Sequence, residues 1–432
     1  MYHSLDICQD IAQKMSDLEA IKELSENSFQ RNWASASLFE GIPGIVCFYS
    51  AMDLAYPTGG WDAVVHEYVK WLAEEFEKKP SGDPSLFGGI AGLCFSVFLA
   101  SRSGTRYVQL LSKLEQALID QVETEFLQKA EDYLREDTEI PPEFYTLMNG
   151  ISGLVAYLLL RKNHPPLFRL LQDSLKTLLK ILNRTRLIDS ISVAGWYTSP
   201  EVTLGKTLSA TFPSGCYILN MGFGLPSCLS TLALVMQNGI SQPELLSTIQ
   251  KLGNWIIEVK KSSDLGISWP GTIPIGDPIE NDGQLNRDVW WQGIPAMCRS
   301  LYLAGRATKN KEWVDFASRG YCSLFSKPEK EWNMMGPSLA YGRAGVLALT
   351  WRMAQDTQSP ALFKQVNYLE GDLKRFYSPS KLFGFQVVDF STEKYRWLDS
   401  PGLADGAAGI ALVLLDLHTQ EVSQWDRSFL MN

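Results

Sequence analysis

Residues 150–160 read Gly-Ile-Ser-Gly-Leu-Val-Ala-Tyr-Leu-Leu-Leu. Two glycines three apart open a run that is apolar almost all round, and a helix with that character has to be buried. The same opening recurs along the chain. Gly41-Ile-Pro-Gly44 and Gly89-Ile-Ala-Gly92 precede it, and Gly224-Leu-Pro-Ser227, Gly293-Ile-Pro-Ala296, Gly342-Arg-Ala-Gly345 and Gly406-Ala-Ala-Gly409 follow it. The first glycines stand roughly 50 to 75 positions apart, room for two helices of about 12 residues with their connections. A fixed spacing of this kind marks a repeat architecture.

Between the motifs the helical segments change character. Residues 61–78 (WDAVVHEYVKWLAEEFEK) and 311–323 alternate apolar and charged positions, as half-exposed helices do. Buried helices alternating with half-exposed ones predict an all-α, α/α toroid. It is a double ring with seven inner and about seven outer helices, formed by residues 1–432 as a single domain. A short β hairpin is expected around 189–217, in the longest gap, from Ile191, Val193 and Trp196. A small residue at the start of each inner helix lets neighbouring helix ends crowd together and leaves backbone N–H groups facing inward. A single Gly-x-x-Gly is better explained as helix–helix packing; seven in register are what predict the ring.

Composition sets outer bounds. Hydrophobic content is 45%, charged content 20% and the formal net charge −9. An acidic chain lacks the basic face that phosphate recognition needs, so no nucleic-acid partner is expected. No run approaches the ~18 apolar residues of a membrane span, and the acidic N-terminus is not a secretory signal, so a cytoplasmic protein is expected. The seven cysteines are scattered, with no CxxC pair, and read as buried free thiols.

With Trp290-Trp291-Gln-Gly-Ile-Pro-Ala296 and Pro337-Ser-Leu-Ala-Tyr-Gly-Arg-Ala-Gly345, the motifs make the chain similar to the lanthionine synthetase C (LanC) family over nearly its whole length. The resemblance implies an α/α toroid that adds a cysteine thiol across a dehydroalanine or dehydrobutyrine. It also implies a zinc ion that ionises the thiol, held by a Trp-Cys pair and a Cys-His-Gly triplet. Here those motifs read Trp290-Trp291 and Ala340-Tyr341-Gly342. Trp291, Ala340 and Tyr341 therefore stand at the ligand positions, and no metal or other cofactor is expected there. The family's catalytic histidine falls at Phe223 and its aspartate at Thr146, whereas the arginine four residues before the first ligand is kept as Arg287. A displaced thiolate site from Cys216, Cys228 and Cys298 is the remaining route to a metal, with buried core cysteine as the default reading.

The residues just before each glycine are expected to converge on a cup. The substrate-binding set is Asn149, Phe223, Trp290, Trp291, Gln292 and Asp405; the catalytic candidates are Arg287, Tyr341 and Glu40. For Glu40, Asn149 and Asp405 the competing reading is helix capping. Trp291 equally reads as a plug filling the volume of a lost metal and substrate.

Three functions follow. The first is a LanC-like protein of lanthipeptide maturation that binds a modified precursor peptide and forms thioether rings without zinc. There Arg287 would stabilise the enolate while Tyr341 or Glu40 moves the proton. The second is an inactive scaffold for a dehydratase or kinase-like partner. The third is an unrelated hydrolase using Glu40 and Asp405, which would need carboxylates about 5 to 9.5 Å apart.

Overall fold

A computed structural model describes residues 2–28, 33–202, 210–264, 266–276, 286–389, 395–419 and 423–432. Each of the seven repeat glycines is the N-cap of a helix. These helices are Ile42–Ala55, Ile90–Ala100, Ile151–Leu160, Leu225–Gln237, Ile294–Thr308, Arg343–Thr357 and Ala407–His418. Proline at the second helical position in the first, fourth and fifth suits a turn where N–H groups have no intrahelical partner. Most side chains of these helices are buried. In Ile42–Ala55, for example, every residue from Ile42 to Asp53 is buried.

The glycine, not the residue before it, is therefore the cap, and it brings no capping side chain of its own. The capping reading of Glu40, Asn149 and Asp405 is corrected accordingly. Beside the crowding from neighbouring repeats, the chain folds back over its own helix start at several of the first glycines. A methyl group at Gly150 would stand 2.6 Å from Tyr145 N, and one at Gly406 would stand 2.7 Å from Ser400 O.

The chain forms two compact units, one of Met1–Asp83, Phe87–Ala117 and Met334–Phe429, the other of Pro84–Leu86, Leu118–Asn333 and Leu430–Asn432. The first holds repeats six, seven, one and two. Its half-exposed helices bury one stripe, as Trp61–Lys78 does with Val65, Tyr68, Val69, Leu72 and Phe76. After the seventh repeat no such helix follows among the described residues. Its place is taken by the N-terminal helix Ser4–Lys14, which buries Ile7, Cys8, Ile11 and Ala12. The Cys8 thiol donates to Ala411 O at 3.4 Å, and Tyr49 Oη donates to Ala12 O at 2.6 Å. The two ends of the repeat series thus meet within this unit. The second unit holds repeats three to five, with the partner helices Pro165–Asn183, Leu245–Glu258 and Lys311–Ser323.

A large apolar side chain lies three residues before every repeat glycine, and all seven are buried: Leu38, Leu86, Leu147, Met221, Trp290, Leu339 and Leu403. For Leu403, Leu86 and Leu339 this side chain packs on the second small residue of the following motif. Leu403 Cβ lies 2.6 Å from the Cβ position of Gly44, Leu86 Cβ 3.0 Å from that of Gly153, and Leu339 Cδ1 3.4 Å from that of Gly409. Burying one such side chain is worth about 1.5–3 kcal/mol. An exposed pair such as Lys113–Glu77 is screened by solvent and adds little, so packing carries the repeat.

The hairpin expected around 189–217 is formed by Thr185–Ile188 and Ile191–Ala194, with Thr185 opposite Ala194 and Ile188 opposite Ile191. Trp196 lies just beyond it, edge-on to Trp255, and positions 203–209 of that range fall outside the described residues. Further strands carry little sequence signal because each has only two or three residues. Tyr197–Thr198, Cys216–Ile218 and Thr272–Pro274 make an antiparallel sheet, and Val387–Asp389 pairs with Arg396–Leu398. Among the described residues no helix is long and apolar enough to cross a membrane.

Candidate functional site

The loops entering the repeat helices carry all the candidate residues, and main-chain bonds between successive loops hold them side by side. In the first unit Leu38 N donates to Phe87 O at 2.9 Å, Ala404 N to Phe39 O at 2.8 Å, and Ala340 N to Ala404 O at 2.8 Å. Glu40, Tyr341 and Asp405 therefore stand at equivalent points on adjoining loops, each half-buried. Glu40 Oε1 accepts from Ala34 N at 3.2 Å, and its carbonyl accepts from the Trp33 indole at 2.9 Å. Asp405 Oδ1 accepts from Ser400 Oγ at 3.4 Å. Each carboxylate is thus engaged by its own loop.

In the second unit Met148 N donates to Gly222 O at 3.0 Å, and Met221 N to Trp291 O at 2.7 Å. Asn149, exposed, and the half-buried Phe223, Trp291 and Gln292 share this edge. Phe223 is fixed by its N–H donating to Asn220 Oδ1 at 2.8 Å, and its ring rests on Phe212, Cys216 and Ile218. Trp291 meets Phe223 edge to face with centroids 5.8 Å apart, and Trp290 at 5.9 Å. Trp290 itself is 1% exposed, so its ring supports Trp291 from within. Arg287, half-buried, begins the same turn.

The three thiols singled out for a displaced metal site behave as core residues. Cys216 and Cys228 are each pushed up to about 12 by burial, and Cys298 is also raised well above the ordinary thiol range by burial. Cys228 Sγ donates to Tyr145 O at 3.6 Å instead of facing another thiol. Among the described residues no three His, Cys, Asp or Glu side chains are grouped to hold a metal ion. Thr146, where the sequence resemblance puts the family's aspartate, is fully buried and donates to Pro142 O at 2.6 Å.

Two features of the site lie outside the sequence expectations. The apolar residue three before each glycine does have a plain signal, a Leu, Met or Trp at constant offset. Asp288 and Lys327, 39 positions apart, form an ion pair of 2.9 Å beneath the turn that carries Arg287 and Trp291, and nothing local announces it.

The lanthionine synthetase C-like protein family matches residues 32–430. The chain belongs to the lanthionine synthetase C-like family. Among characterised relatives, the nisin biosynthesis protein NisC of Lactococcus lactis subsp. lactis is 22% identical over 398 residues, covering 90% of this chain and 87% of that protein. The solved structure of nisin cyclase aligns with a TM-score of 0.76 at 17% identity, covering 96% of each chain. That likeness gives this LanC-like chain its fold class, the α/α toroid expected from the seven repeats.

Proposed function

We propose that this LanC-like protein acts in the maturation of a ribosomally made peptide. It binds a precursor that carries dehydrated residues and cysteines, and any thioether chemistry it performs proceeds without zinc. The donor set supports chemistry without zinc. Trp291, Ala340 and Tyr341, at the positions the family resemblance assigns to the metal, supply no thiolate and no imidazole, so they do not fit zinc. The face formed by Phe223 and Trp291, rimmed by Asn149 and Gln292, suits a peptide, since aromatic rings give large contact area at low entropy cost and amides grip backbone.

The reaction itself balances without a metal. The thiol sulfur bonds to the β-carbon of the dehydroamino acid, and the double-bond electrons move towards the carbonyl. The resulting enolate then takes a proton at the α-carbon, replacing the one the thiol gave up. Arg287 is the donor we assign to the enolate oxygen. A scaffold for a dehydratase or kinase-like partner is the second reading, favoured by the packing of Trp291 between Phe223 and Trp290. Both readings place the protein in the cytoplasm, where its peptide and partners would be made.

The test is a dehydrated, cysteine-containing precursor peptide offered to the purified protein with and without a chelator. Binding is followed by calorimetry and ring closure by mass spectrometry after thiol alkylation. Binding with chelator-insensitive closure supports the zinc-free cyclase, and binding without closure supports the scaffold. Stoichiometric zinc, or closure lost on chelation, would overturn the zinc-free reading; absence of peptide binding would overturn the peptide as ligand.

A further inference from the structure

The fifth repeat differs from the other six at its first glycine. Those six have φ between −103° and −150°, extended backbone open to any residue, whereas Gly293 has φ +80°. A left-handed φ costs a side-chain-bearing residue and has to be held in place by something else. What holds it here is Asp288. Its Oδ1 accepts from Ile294 N at 2.9 Å, spanning the turn, and a methyl group at Gly293 would stand 2.6 Å from that same oxygen.

Asp288 is itself fixed from below. Lys327 Nζ lies 2.9 Å from Asp288 Oδ2, with both side chains under 10% exposed. Asp288 N donates to Trp332 O at 2.9 Å, and Asn333 Nδ2 donates to Asn286 O at 2.8 Å. The turn is thereby attached at Asn286 and at Asp288 to the segment 327–333. A buried charge pair is weak evidence for stability as such, since burying both ions costs several kcal/mol, but it defines a single geometry.

We infer that Asp288, clamped by Lys327, is the positioning residue of the site: it sets the turn Arg287–Gly293 and so aims Arg287 and the Trp291 ring at the bound peptide. The peptide part of this inference rests on the proposed function; the aiming of Trp291 does not. Neither Asp288 nor Lys327 touches the ligand. Each acts through the turn.

The test uses the full chain labelled with 5-fluorotryptophan, the Trp291 fluorine resonance being identified among the 13 tryptophans by Trp291→Phe. Two double variants avoid stranding a buried charge. Asp288→Ala with Lys327→Met removes the bond to Ile294 N, and Asp288→Asn with Lys327→Met keeps an acceptor there. The expected result is a displaced Trp291 resonance in the first and partial return towards the parent position in the second, with Trp61 and Trp425, in the other unit, unmoved. Peptide affinity should fall on the order of tenfold in the first, the usual consequence of displacing a central interface side chain. An unmoved Trp291 resonance in a folded Asp288→Ala, Lys327→Met protein would overturn the inference. Should that variant not fold, Lys327→Gln decides the matter by the same resonance, displaced or not. A parent protein that binds no peptide sinks the functional reading and leaves the fluorine result standing.

Discussion

The indole of Trp291 lies flat enough against Gly222 that a methyl group there would stand 2.6 Å from Cζ2 and 2.8 Å from Cζ3, with Cη2 nearer still. The two residues belong to consecutive repeat loops, joined by the bond from Met221 N to Trp291 O. Tryptophan at position 291 therefore requires glycine at 222, and the pair shapes the aromatic face from which the peptide-binding proposal starts.

Gly222→Ala is expected to destabilise by about 1–3 kcal/mol, the usual cost of overpacking. Adding Trp291→Ala should remove most of that penalty, because the two changes act on one contact. Urea denaturation of the two single variants and the double gives the coupling energy. A strictly additive result would mean that the ring moves aside freely.

Glycines elsewhere separate into two kinds. A methyl group at Gly409 would overlap Leu403 O and stand 2.8 Å from Leu403 C, main-chain atoms with little freedom to yield. Gly409→Ala is expected to cost about 3 kcal/mol or more. Gly371, inside the helix Pro360–Lys374, has nothing within 4 Å of its Cβ position. Gly371→Ala should stabilise by about 0.5–1 kcal/mol through helix propensity and a less flexible unfolded chain. Thermal melts of the two proteins side by side check both signs.

Stability should also depend on the Asp416 carboxyl, which burial, then the Asp426 charge, raises to about 7. Arg352 Nε bonds Asp426 at 2.6 Å and lies 3.8 Å from Asp416 through its Nη2, while the Trp425 indole donates to Asp416 at 2.8 Å. The folded protein thus holds a proton that the unfolded chain, near the ordinary carboxyl value of about 3.9, has already released. The group's contribution is fully present below about pH 4 and is lost as pH rises through about 7. Asp416→Asn should therefore gain stability relative to the parent between about pH 4 and about pH 7. A stability difference independent of pH across that window would contradict the assignment.

For the chemistry, Arg287→Ala is expected to lower thioether formation on the order of 10²- to 10³-fold where the parent closes rings, as loss of an oxyanion donor does. Mass spectrometry of alkylated peptide products measures it. Undiminished ring closure in Arg287→Ala would remove Arg287 from the mechanism.

Much of this architecture is legible in the sequence for a local reason. A glycine opening an all-apolar run marks the start of a buried helix wherever it occurs, so all seven repeat helices from Gly41 to Gly406 start within a residue of their motifs. The register of Glu40, Asn149, Phe223, Gln292, Tyr341 and Asp405 follows from counting. Their shared positions on adjoining loops within each unit are what the main-chain bonds then realise. Helix capping by Glu40, Asn149 and Asp405 does not occur because the glycine itself takes that position.

By itself, then, the sequence determined the repeat, the identity of the buried helices and the absence of thiolate or imidazole at Trp291, Ala340 and Tyr341. Each of these depends on residue type and on spacing along one stretch of chain. The tertiary structure alone decided that the helix Ser4–Lys14 covers the seventh repeat, that Trp291 rests on Gly222, and that Lys327 fixes Asp288 beneath a left-handed Gly293. Those contacts join residues from 39 to 403 positions apart. Hydrophobic periodicity reports which face of an element is buried, but the partner it meets is set by the path of the loops between them.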